Sequence, residues 1–158
     1  MSSWAELEAE SPVLAAFVKD RLQAHRHRTM ATIRAGGSPR ISGIEVTIAR
    51  GEVWIGGLAG SRKFADLHRD PRMALHSGSD DPPHFRGDAR LSGRAFPVLD
   101  EGLKLAFLAD AGGGPPGPFE LFRLEIDEVS TVREADTGDH LVIDVWKPGQ
   151  PVRRIERF

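Results

Sequence analysis

The stretch Gly56–Arg69, GGLAGSRKFADLHR, holds the residues best spaced for chemistry. A glycine-rich loop leads to Ser61, which can cap a helix over Arg62 to Arg69 that stops before Pro71. Arg62 and Lys63 fall in the first turn. That end of a helix already carries partial positive charge, so two cations there work against the helix itself. An anion would account for them: backbone N–H groups, the dipole and both cations would converge on one phosphate. Two solvated surface charges are the other reading, and spacing alone leaves both open. The stretch is neither a GxxxxGK[ST] loop nor GxGxxG.

Other chemistries find less support. His25, His27, His68, His76, His84 and His140 are scattered without a metal-ligand spacing, and no metal site is expected. His76, in an expected strand, is the one histidine singled out for a possible place beside a ligand groove. No GxSxG elbow is present for a serine hydrolase. The chain has no Cys, which excludes disulfides and thiolate chemistry, and no Tyr, which removes a common acid. Trp54 and Trp146 read as core or interface residues, and Arg153, Arg154 and Arg157 as a basic, solvated tail.

The elements that must position Arg62 and Lys63 are mostly strands. Ser11-Pro12 starts a helix that runs to about His25, with Val13, Leu14, Phe17, Val18 and Leu22 at helical spacing. Strands are expected over 29–34, 40–49, 52–55, 72–77, 88–98, 119–132 and 140–146, with a short closing strand over 153–157. Arg50-Gly51 is a tight hairpin, Asp100 opens a short helix, and 111–118 (AGGGPPGP) is a flexible loop. Strands at hairpin spacing with few helices predict a mainly β single domain over 1–158, a small closed barrel that removes exposed edges.

The 158 residues carry a net charge of −2, with 28% charged and 40% hydrophobic side chains, which is globular composition. That balance excludes a broadly basic nucleic-acid binder, so nucleic acid is not expected as a partner. The acidic start and the lack of a long apolar run predict a cytoplasmic chain with no membrane partner. Arg outnumbers Lys 17 to 4, so nearly every cation can hold a planar anion through two bonds.

One ordered set of residues resembles a known family. Ala31-Thr32-Ile33-Arg34, Gly37-Ser38-Pro39-Arg40-Ile41-Ser42, Ser61-Arg62-Lys63, Asp66-Leu67 and Asp70-Pro71-Arg72 look like the pyridoxamine 5′-phosphate oxidase-like, flavin-binding split-barrel superfamily. The resemblance implies a split β-barrel, a homodimer, and FMN in a groove between the subunits. Arg62 and Lys63, with Ser61 beside them, match the family's residues on the flavin phosphate. Ser42, Gly43, Ile44, Glu45, Val46 and Thr47 match the strand along the flavin, whose backbone groups meet the ring edge. Ile55 and Gly56 match the end of the next strand. Asp88 falls where the oxidases carry a polar residue near the ring. The oxidases hold arginine at the Ser42 position and lysine at the Thr47 position, and their C-terminal Arg-x-His motif is absent here. A small-molecule substrate other than pyridoxamine phosphate is therefore expected. The sequence looks most like the actinobacterial branch, whose members use FMN or the deazaflavin coenzyme F-420, with a few that bind haem. The resemblance implies an oxidoreductase that moves a hydride on the cofactor ring, with FMN first, F-420 as the alternative, and a non-catalytic flavin- or haem-binding module as a further one.

Overall fold

The computed structural model describes residues 2–158. Helices α1 (Trp4–Glu10) and α2 (Pro12–Gln23) precede strands β1 (Arg28–Ile33), β2 (Pro39–Ala49) and β3 (Glu52–Leu58). Helix α3 (Arg62–Arg69) leads into β4 (Arg72–His76) and β5 (Asp88–Pro97). Helix α4 (Glu101–Asp110) is followed by β6 (Phe119–Glu134), β7 (Leu141–Trp146) and β8 (Arg153–Arg157).

All strand pairs are antiparallel, in the order β3-β2-β1-β4-β5-β6-β7-β8, and a further β3–β6 pairing closes six of them into a ring. β6 makes both the closure and the split. Its first part, Phe119–Leu124, pairs with β3, and its last part, Val129–Glu134, pairs with β7. The β7–β8 hairpin therefore extends from the barrel rather than entering the ring. The ladder between β5 and β6 shifts register at Ser92/Gly93. A Cβ on Gly93 would lie 1.9 Å from the Glu125 carbonyl oxygen, so only glycine fits at this bulge.

Alternation along the strands decides what faces inward. Met30, Ile44, Val46, Val53, Ile55, Leu75, Leu91 and Leu124 line one continuous core. Trp4 and Leu7 of α1, and Leu14, Ala15, Val18 and Leu22 of α2, join it and cover the barrel. Helix α1 lies outside the expected elements, because the three Glu of its seven residues mask its capping pattern. It begins with a capping box: Ser3 Oγ accepts from the Glu6 N–H at 3.3 Å and the Glu6 carboxylate accepts from the Ser3 N–H at 2.8 Å. Ser11 follows Glu10 and links α1 to α2 without a side-chain cap bond. β3 runs three residues past the expected end at Ile55, because Gly56, Gly57 and Leu58 pair with β6. α4 lies where a helix was expected, with Asp100 as its N-cap, yet it has no fully buried residue and Leu105 is 66% exposed. No helix among the described residues is long and apolar enough to cross a membrane.

Candidate functional site

The N-terminus of α3 is built by the loop that leaves β3. Gly60 adopts a left-handed φ of +82°, which turns the chain into the helix. Its N–H donates to Glu120 Oε2 at 3.0 Å, while Glu120 Oε1 meets His68 Nε2 at 2.6 Å. One carboxylate thus ties the loop before α3 to the last turn of α3. Burial pushes the Glu120 carboxyl up, but the bonds from His68 and the Gly60 N–H outweigh it and hold it below the usual range.

Ser61 has the extended backbone of an N-cap, φ −69° and ψ 152°, yet its side chain makes no cap bond. The Ser61 Oγ is buried with no hydrogen-bond partner among the described residues. Buried polar atoms are nearly always satisfied, so an orphan at a helix N-terminus asks for a partner. Arg62 is exposed and makes no hydrogen bond or ion pair among the described residues. Lys63 Nζ donates to the Gly43 carbonyl at 3.1 Å and lies 5.5 Å from the Phe64 ring centroid. Orphan hydroxyl, free guanidinium and ammonium are consecutive residues at the positive end of one helix. That set fits the phosphate of a mononucleotide cofactor.

Beside it, the barrel wall opens. The β2–β3 ladder ends at Glu45↔Gly56. Beyond that pair Gly57 and Leu58 bond only to β6, and Ser42, Gly43 and Ile44 bond only to β1. One edge of β2 therefore faces the gap, and Lys63 reaches across it to Gly43. An open strand edge supplies backbone donors and acceptors for a ligand.

The helix itself is held by one buried acid. Asp66 Oδ2 accepts from Arg40 Nε at 2.7 Å and Thr32 Oγ1 at 2.8 Å, and Oδ1 accepts from Arg69 Nη2 at 3.2 Å. The Arg40 hydrogen bond comes first in pulling the Asp66 carboxyl down to about 2, with Thr32 and Arg69 assisting against the cost of burial. Because Thr32 is on β1 and Arg40 on β2, this carboxylate pins α3 to both strands. Phe64 adds a ring contact with Phe122 at 5.1 Å.

The expected site residues divide by face. Ser61, Arg62 and Lys63 stand together, and Gly43 joins them through Lys63. Gly43 and Glu45 are exposed and Thr47 is half-buried, all on the outer face of β2. Ile44, Val46 and Ile55 turn their side chains into the core, so only their backbone can meet a ligand. Ser42 is half-buried on the inward alternation, and Gly56 marks the end of the ladder. Glu45 is engaged by Arg26 at 2.8 Å. Asp88 stands apart: its neighbours are His76 at 3.6 Å and Arg90 at 3.7 Å, and its Oδ1 is buried without a hydrogen-bond partner. His76, its neighbour, lies in the row that runs through Thr29 of β1 to Gly43 of β2, two strands away. Arg40 and Asp66 lie in the motifs of the resemblance with no role expected of either, and Glu120 lies outside them. Their signal is tertiary, since their partners come from strands far away in the chain.

The profile of the family described as Pyridoxamine 5′-phosphate oxidase matches residues 14–133. The chain belongs to the pyridoxamine 5′-phosphate oxidase family. The matched span runs from α2 to the end of β6, so it contains α3 and the open edge of β2. Proteins of known structure share this fold. A pyridoxamine 5′-phosphate oxidase-related, FMN-binding protein from Nostoc punctiforme superposes with a TM-score of 0.63 at 14% identity, covering 94% of this chain and 96% of that one. The conserved hypothetical protein Rv2991 from Mycobacterium tuberculosis gives 0.58 at 20% identity, over 72% and 81% of the two chains. A heme-binding protein from Mycobacterium smegmatis gives 0.61 at 19% identity, over 84% of this chain and 58% of that one. No curated protein matches the sequence.

Proposed function

We propose that this member of the pyridoxamine 5′-phosphate oxidase family binds FMN, with the phosphate on Ser61, Arg62 and Lys63, and acts as a flavin-dependent oxidoreductase. The single observation that carries the reading is the buried, unpartnered Ser61 Oγ at the N-terminus of α3, beside an Arg62 with no partner among the described residues. Ser61 Oγ and the first N–H groups of α3 would hold the phosphate, and Arg62 would neutralise it. Lys63, already on the Gly43 carbonyl, would bridge phosphate and strand. The ring would run along the outer face of β2 past Gly43, Glu45 and Thr47, against the open edge. When bound, FMN supplies hydride chemistry at its ring, and the chain supplies position and electrostatics.

The same reading includes a homodimer. The outer face of β2-β1-β4 carries Ile41, 75% exposed, with Ala31 and Ala74 beside it in register. Water-facing small and apolar residues in one row suit contact with a second copy.

Titration of the purified protein with FMN and, in parallel, with coenzyme F-420 tests the reading, with cofactor fluorescence as the signal. Stoichiometric FMN binding with weaker F-420 binding is expected. Preference for F-420 would keep the phosphate site and replace the ring. Binding of neither would end the proposal.

A further inference from the structure

The last turn of α2 and the loop between β4 and β5 enclose a hollow of about 490 Å³. Apart from Ala24, every residue that lines it is charged or a histidine, and none is assigned to the cofactor. The loop is a built wall. At its start the buried Ser77 donates its N–H to the Ala89 carbonyl at 2.9 Å, and its Oγ accepts from the Ala89 N–H at 3.0 Å. Further on, the His84 N–H donates to the Asp81 carbonyl at 2.9 Å, which closes a turn just before Arg86.

Arg21, on α2, is the unusual residue. Its side chain is only 6% exposed, yet Nε and Nη2 reach just one oxygen, Asp20 Oδ2, at 3.1 and 2.8 Å. Nη1 donates no hydrogen bond among the described residues. Asp80 Oδ2 stands 3.7 Å from it, beyond hydrogen-bond length, and accepts no hydrogen bond either. The other oxygen of Asp80 meets His25 Nε2 at 3.2 Å, so this carboxylate is anchored at one end and open at the other. Buried guanidinium groups normally spend their donors on partners. On the loop wall, His84 and Arg86 make no hydrogen bond or ion pair among the described residues.

Both signs of charge are therefore left with capacity to spare. Arg21 and Arg86 offer donors, and Asp80 offers an acceptor, with the exposed Asp20 beside it. Two arginines and two aspartates balance, so a phosphate dianion would bring excess negative charge and a simple amine excess positive charge. A molecule with one carboxylate and one ammonium brings neither. Its planar carboxylate also suits the free edge of a guanidinium. Walls with so little apolar surface give a hydrophobic side chain nothing to gain. We propose that this hollow binds a free α-amino acid with a polar side chain. The carboxylate accepts from Arg21 and Arg86, the ammonium donates to Asp80 and Asp20, and His84 is left for the side chain. The proposal stands independently of the flavin reading.

Equilibrium dialysis of the full chain against L-serine, L-asparagine and L-glutamine tests it. At least one of the three is expected to bind one per chain with a Kd below about 1 mM. Two analogues of the binder, the acid without its ammonium and the amine without its carboxylate, are each expected to bind about tenfold or more weakly. Arg86→Ala, at an exposed position, is expected to melt like the unaltered chain and to lose about tenfold in affinity. Asp80→Asn is expected to weaken the amino acid while sparing the acid that lacks the ammonium. Binding of none of the three amino acids would overturn the proposal. Equal binding of the acid without its ammonium would also overturn it, since the hollow would then be a plain anion site. So would undiminished binding by Arg86→Ala or, if that variant does not fold, by Asp80→Asn.

Discussion

Lys63 Nζ sits 3.1 Å from the Gly43 carbonyl oxygen, across the gap where β2 leaves β3. The bond ties the first turn of α3 to an open strand edge. Replacing Arg62 and Lys63 together with Ala should weaken FMN binding by more than about 2 kcal/mol, since charged hydrogen bonds are each worth about 1.5–3 kcal/mol. A titration monitored by flavin fluorescence reads this as a loss of roughly thirtyfold. An unchanged affinity would remove the phosphate assignment.

Ser61→Ala separates a cap from a ligand. A serine that caps a helix costs about 1 kcal/mol of stability when truncated. Ser61 makes no cap bond and its Oγ has no partner among the described residues, so the truncation should leave the melting temperature unchanged or slightly raised. FMN affinity should still fall, by about 1 kcal/mol. Calorimetric melting together with the titration checks both halves.

Asp66→Asn should be the most damaging single change near α3. It breaks a pair whose side chains are only 4% and 17% exposed, and breaking a buried pair costs about 3–5 kcal/mol. The pH dependence has a definite sign. The folded-state pKa lies near 2, below the ordinary 3.8, so the stabilisation is complete above about pH 4 and is lost as pH falls toward 2. Urea unfolding should therefore show a wide gap between the native chain and Asp66→Asn at pH 7 that narrows below pH 4. A gap of constant size would mean that the carboxylate charge contributes nothing.

Ile41→Glu should leave the fold intact and yield a monomer. Ile41 is 75% exposed on the outer face of β2, where a charge is harmless to an isolated chain but costly in a contact between copies. Light scattering at micromolar concentration, beside a melting curve, reads the result. A monomeric unaltered chain would defeat the dimer reading directly.

The strands were legible because inward and outward residues alternate, as Ile44 and Val46 do against Gly43 and Glu45. The start of α3 was legible because cations at a helix N-terminus are unexpected on local grounds. Helix α1 carried its own signal, Ser3-Trp4-Ala5-Glu6, a capping spacing that the acidic composition masked. Other features had no local trace. Nothing in the order of residues says that Asp66 meets Thr32 and Arg40, 34 and 26 positions earlier. The same holds for Phe107 of α4, whose ring meets Trp54 of β3 at 5.9 Å. The alternation of β2 puts Gly43, Glu45 and Thr47 on its outer face and Ser42, Ile44 and Val46 on its inner one, so a ligand outside the strand would meet the last three through backbone.

Ring closure by β6 also dictates an order of events during synthesis. The strand that completes the wall beside β3 begins at Phe119, whereas β3 ends at Leu58. Until about three quarters of the chain has left the ribosome, Val53 and Ile55 have no β6 beside them, and the apolar sides of α2 and α3 cover an unfinished sheet. Long-range closure of this kind is slow and leaves sticky intermediates. Chaperone engagement should concentrate on nascent chains shorter than Leu124 and fall once β6 emerges, while loss of the β7–β8 hairpin should affect late maturation more than the first collapse.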